Sequence, residues 1–244
     1  MSTSTSLPCK GCAEPNILVK SHIVPESFSV LFNRGKKPAL IVGPEEYPRQ
    51  SQRGIYDQSI LCDDCEQKLS VPDDYAQRIL IQEVSRFKQI FNGTELVAET
   101  LEPYDYKLLH RFAISVLWRA SISSHYFYEY VELGPHQERL RTFSLGLEEL
   151  PDDRYGIVVG KLVYKSICNM APAPFRERIE GANYWRIYIG DWHFWIKVDS
   201  SRPTPSIFRE MEAKANTPLF VLCRELLGSP EHKAAKLSAD RRLR

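Results

Sequence analysis

The chain has 244 residues, 43% of them hydrophobic, and its 32 basic and 31 acidic residues leave a formal charge of +1. That is enough apolar material for one large domain or two modest ones, not a small stapled peptide, and no overall field marks out a polyanionic partner. No apolar run reaches the roughly 18 residues of a membrane helix, and the polar start MSTSTSLP carries no basic-then-apolar export signal. The expected setting is the cytoplasm, without membrane contact.

In chain order, Cys9-Lys10-Gly11-Cys12 is followed by Ser21-His22-Ile23-Val24-Pro25 and then by a Pro/Gly/Gln-rich stretch over 38–54, where regular structure is not expected. A second Cys62-Asp63-Asp64-Cys65 pair follows. After Pro72, apolar residues from Tyr75 to Phe91 recur at three- and four-residue steps, which predicts a helix over 73–91 ended by Asn92-Gly93, then a linker over 93–104. Residues 105–122 predict a central core helix and 134–150 another, with Pro135 near its start. Strands are expected from Tyr155, in a hairpin from Tyr184 turning at Gly190-Asp191, and from Pro218, with a helix over 206–215 between the last two. The fold class is therefore α+β, divided into a metal-binding module with its following helix at 1–100 and a partner- or substrate-recognition domain at 101–244.

The cysteines are the most informative feature. Six in 244 residues are too sparse for a disulfide scaffold, and each C-x-x-C can present two thiolates to one ion. Cys9, Cys12, Cys62 and Cys65 thus form the candidate Zn²⁺ ligand set, a closed structural site with no open position for chemistry. The alternatives are two unrelated pairs or a redox dithiol. Residues 1–70 hold few apolar side chains, so metal binding would supply folding free energy that burial cannot. Cys168 and Cys223 lie in apolar surroundings and read as core residues.

The order C-x-x-C, S-H-I-V-P, I-L-C-D-D-C-E-Q-K-L resembles the zinc-containing HNH endonucleases, and the chain is similar to a group of uncharacterised bacterial proteins that pair such a module with a W-R-A-S helix. The resemblance covers residues 9–70 and implies a treble-clef-like finger. In that pattern His22 matches the water-activating histidine, Asp57 stands where an asparagine is expected, and Glu66 stands where a metal-binding histidine is expected. The letters read H, D, E instead of H, N, H, and Ser21 occupies a position where many relatives of that pattern place a metal-binding Asp or His. The implied function is metal-dependent phosphodiester hydrolysis, with Glu66 on Mg²⁺ or Mn²⁺ and Asp57 holding the His22 ring or sharing the metal. DNA is the favoured nucleic acid, and a protein partner in an anti-phage defence complex is the other expected contact.

Each of these residues also has a plainer reading. His22 suits a hydrogen bond inside the finger, Glu66 and the pair Asp73 and Asp74 suit a helix N-terminus, and Asp57 suits a turn. Taken together, those readings give the alternative function, a catalytically silent zinc-stabilised module that binds nucleic acid or protein. Arg34, Lys36, Lys37, Arg49 and Arg53 oppose only Glu45 and Glu46, a mild basic excess suited to phosphates or to a solvated loop. Trp118, Trp185, Trp192 and Trp195 read as packing residues, and Arg119 as the partner of a buried acid.

Overall fold

The computed structural model describes residues 6–32, 39–42, 49–51, 54–163 and 170–225. Its elements in chain order are β1 (Leu7–Pro8), β2 (Pro15–Asn16), β3 (Ser21–His22), α1 (Ser29–Phe32), β4 (Ala39–Val42), β5 (Arg49–Ser51), β6 (Tyr56–Asp57) and α2 (Asp63–Gln77). They continue with β7 (Lys88–Asn92), β8 (Glu95–Leu101), α3 (Tyr106–Ile122), α4 (Gln137–Ser144), α5 (Asp152–Tyr155), β9 (Ile157–Val163), β10 (Met170–Pro172), β11 (Phe175–Ile179), β12 (Ala182–Ile189), β13 (Trp192–Lys197) and β14 (Leu219–Glu225). The architecture is α+β, built on one large sheet ordered β11-β12-β13-β9-β14-β8-β7, in which only the β9–β14 pair is parallel.

α3 lies against one face of this sheet and is capped by Asp105, whose carboxylate accepts from the Leu108 N–H at 3.0 Å. Its side chains from Leu109 to Ala120 are buried on nearly every side, so the helix is hydrophobic all round and forms the centre of the molecule. Phe28, from the N-terminal segment, stacks on Phe112 of α3 at 5.3 Å, and Phe112 meets Phe194 of β13 at 6.0 Å. A single hydrophobic cluster therefore runs from Cys9 and Ile23 through α3 to Val221, and residues 100 and 101, where the division between modules was expected, both lie within β8. A smaller cluster of Val158, Ala182, Tyr184, Trp195 and Phe208 covers part of the opposite sheet face. No helix among the described residues is long and apolar enough to cross a membrane.

The expected helix over 73–91 is corrected at both ends. α2 begins ten residues earlier, at Asp63, and carries Pro72 inside it. Proline has no N–H for the carbonyl four residues back, here Lys68 O, and Arg111 of α3 supplies the missing donor at 3.0 Å. After a wider turn over Arg78–Gln82, whose Leu80 carbonyl accepts from the Trp192 indole at 3.1 Å, the chain becomes strand β7. Gly93, at φ +62, turns β7 into β8, so Asn92-Gly93 closes a hairpin instead of ending a helix, and the expected linker is largely strand. The helix expected over 134–150 shortens to a 3-10 turn followed by α4, and that over 206–215 shrinks to the 3-10 turn Ser206–Phe208. β4 and β5 form a short antiparallel pair in the stretch expected to lack regular structure. The remaining strands and the 105–122 helix form where the pattern placed them.

Candidate metal centre and the adjoining histidine

Cys9 and Cys12 lie in the tight turn between β1 and β2, and Cys62 and Cys65 lie at the cap and first turn of α2. Backbone bonds splice the two knuckles together: Lys10 N–H donates to Ile60 O at 2.8 Å and Val19 N–H to Leu61 O at 2.9 Å. The four Sγ atoms lie within 4.8 Å of one another, and Cys12 and Cys62 are 3.9 Å apart. A tetrahedron of Zn–S bonds of about 2.3 Å has sulfurs about 3.8 Å apart, so the donor set and its spacing fit a single tetrahedral ion such as zinc. Gly11 and Cys62 N–H groups donate to Cys9 Sγ at 3.3 and 3.2 Å. Burial pushes the Cys9 thiol up, but the backbone bonds around Cys12, Cys62 and Gly11 outweigh it and bring the thiol down to about 7, which favours the thiolate a metal needs. Gly11 has no room for a side chain: a Cβ there would stand 2.7 Å from Cys65 Sγ.

β3 and β6 pair between the two knuckles, with Ser21 opposite Asp57 and His22 opposite Tyr56. Alternation then puts His22 and Tyr56 on one face and Ser21 and Asp57 on the other. The His22 ring meets Tyr56 edge-on at 5.8 Å, and Lys20 Nζ lies 4.3 Å over the same tyrosine ring. His22 Nε2 is 3.7 Å from Glu26 Oε2, too far for a hydrogen bond, and is buried without a partner. Burial, then the Lys20 charge, lowers the His22 pKa, with Glu26 opposing and Arg119 adding to the fall, so the imidazole is neutral at pH 7.

Asp57 is held elsewhere. Its carboxylate accepts from Ser59 N–H (2.8 Å) and Oγ (2.6 Å), Ser124 N–H (2.7 Å) and Oγ (2.9 Å), and Ser123 Oγ (3.2 Å). Burial acts to raise its pKa, but the bonds from Ser59 and Ser124 prevail and hold it far below the ordinary carboxylate range. All five bonds run to serines, and the three from Ser123 and Ser124 fasten β6 to the end of α3.

Glu66 lies half-buried in the first turn of α2, with Oε2 unbonded. Burial raises its pKa against the pull of the Arg119 charge and of the Ser21 hydroxyl. Arg119, absent from the expected site, proves central: it is fully buried, binds Asp73 through both terminal nitrogens, donates to His22 O at 3.0 Å, and acts electrostatically on both His22 and Glu66. Asp73 is therefore a buried ion-pair partner in mid-helix, not an acid at a helix start.

No family model matches the chain, and no curated protein or solved structure matches it either. Among the described residues the four cysteines are the one group of three or more Cys, His, Asp or Glu donors gathered closely enough for an ion; His22, Asp57 and Glu66 do not form a second. Trp118, Trp185, Trp192, Trp195 and Cys223 are buried, as packing residues are. Cys168, Arg34, Lys36, Lys37 and Arg53 lie outside the described residues.

Proposed function

We propose that the chain is a zinc-stabilised, HNH-like endonuclease that hydrolyses phosphodiester bonds, with DNA the favoured substrate. The observation that carries this reading is the buried, unbonded His22 Nε2 at the motif position, with Glu26 Oε2 3.7 Å away. An unbonded buried polar atom costs about 1–3 kcal/mol, so a bound water or ligand at His22 Nε2 would relieve it. The order of knuckle, β3–β6 pair and α2 supports a treble-clef-like frame, in which zinc on the four cysteines keeps His22 and Glu66 in register.

Glu66 Oε2 suits a hard divalent cation, and Mg²⁺ is commonly held by one or two carboxylates with water and substrate phosphate completing the shell. Bound there, such an ion would supply stabilisation of charge developing on the phosphate. His22, neutral and flanked by Glu26, accepts the proton of the attacking water; Glu26 then steadies the imidazolium. Lys20, on the same face as His22, is placed to contact a phosphate.

The test is nicking of plasmid DNA, and of RNA in parallel, by the full chain with Mg²⁺, Mn²⁺ or chelator. The expected result is metal-dependent cleavage that His22→Ala abolishes while zinc content stays unchanged. Cleavage unaffected by His22→Ala would overturn the mechanism. A second reading, the catalytically silent binding module, is favoured by the Asp57 carboxylate being taken up by serines and by the Arg119 cation already beside Glu66. Nucleic-acid binding without cleavage under any metal is its expected outcome.

A further inference from the structure

A zinc ion with four thiolates carries a net charge of −2, and a buried charge of that size needs compensation from its surroundings. Part of it comes from N–H groups aimed at sulfur. Cys9 receives two of them, and Asn16 Nδ2 lies 3.8 Å from Cys12 Sγ. Among the described residues no hydrogen bond of this kind reaches Cys65, which is buried.

Arg141 of α4 supplies a cation at this place. Its guanidinium donates to the Gly11 carbonyl inside the first knuckle, 130 residues away in sequence, and it lies in the fields of Cys65 and Cys12. Glu138, one turn earlier on α4, fixes the guanidinium by accepting from Nε at 2.8 Å and from a terminal nitrogen, so its direction is set by its own helix. The side chain is only 23% exposed, which limits screening by water. The contact also bears on geometry, because Gly11 sits so close to Cys65 that a Cβ there would stand 2.7 Å from its Sγ.

Resting on the zinc reading above, we propose that Arg141 is the outer-shell cation of the cysteine centre, a positioning residue that offsets the thiolate charge and holds the first knuckle in its ligating shape. It thereby makes zinc affinity depend on α4, an element of the second half of the chain. Outer-shell partners of this kind contribute about ten- to hundredfold in metal affinity.

The test is competition for zinc between a chromophoric chelator and the reduced full chain, in wild type, Arg141→Gln and Arg141→Lys, at low and high salt, with the near-ultraviolet circular dichroism of the buried tryptophans as a check on folding. Arg141→Gln is expected to weaken zinc binding about tenfold or more with the tryptophan signal retained, and Arg141→Lys to stay close to wild type, at low and high salt alike. Affinity unchanged in Arg141→Gln, or lost equally in Arg141→Lys, overturns the proposal. Should Arg141→Gln not fold, the Arg141→Lys comparison decides alone. A wild-type chain that takes up no zinc fails the underlying reading instead, so the two failures are distinct.

Discussion

Arg119 and Asp73 form a two-pronged ion pair, 2.9 and 2.8 Å long, in the interior, and the same guanidinium holds the backbone carbonyl of His22. One side chain of α3 thus sets the position of both α2 and β3. The histidine proposed as the base rests on the core through its backbone, which leaves its ring free to act.

Removing one member of a buried pair leaves the other charged and unsolvated. Asp73→Asn is therefore expected to cost about 3–5 kcal/mol in urea denaturation, and the double variant Asp73→Leu with Arg119→Met to recover much of that loss. A cost for Asp73→Asn under about 1 kcal/mol, the scale of an exposed pair, would show that water reaches the site.

Asp57 predicts an acid-sensitive fold. Its folded pKa is depressed by serine bonds, so its contribution is complete above the unfolded value of about 3.9 and drains away as pH falls below it. Asp57→Asn is expected to cost about 1–3 kcal/mol at pH 7 and to flatten the fall in stability between neutral and acid pH. Denaturation midpoints of both proteins across that range check it; parallel curves would contradict the assignment.

His22 predicts the acid limb of the activity profile. Burial and Lys20 lower its pKa, so the neutral base persists as pH falls through the ordinary histidine value of about 6.5, and cleavage should decline only below it. The same sign applies to stability, which this residue supports above that range and loses as it protonates. Lys20→Ala should move the limb toward higher pH by relieving the cationic neighbour; an unchanged or lowered limb would separate His22 from the rate.

The cysteine centre was legible because metal chemistry restricts both residue type and spacing, and two C-x-x-C pairs satisfy it wherever the fold puts them. α3 was equally legible, its apolar period running from Leu108 to Leu117 with Asp105 as cap. The failures have physical causes. Ile90 and Phe91 suit helix and strand alike, and only pairing with β8 decides between them. Pro72 read as a helix boundary because its compensation, the Arg111 donor to Lys68 O, comes from α3, 43 residues away. Asp73 read as an end-of-helix acid for the same reason: its partner Arg119 is distant in sequence, and charge pairing across a core leaves no local pattern. Arg141 left no local signal either, since its link to Gly11 exists only in three dimensions.

Loss of the metal should propagate beyond the N-terminal segment, because Cys9, Cys62 and Cys65 belong to the same hydrophobic cluster as α3 and the large sheet. Cys62→Ser is expected to lower the thermal transition of the whole chain as one event, followed by near-ultraviolet circular dichroism of Trp118 and Trp192. A first transition confined to the knuckles, with the tryptophan signal untouched, would contradict that coupling.

The decisive measurement is the metal content of the reduced, purified full chain by native mass spectrometry. The expected result is one zinc ion per chain, lost in Cys65→Ser and kept in His22→Ala. A reduced chain that is folded yet carries no metal would contradict the cysteine centre and with it the finger on which His22 and Glu66 depend.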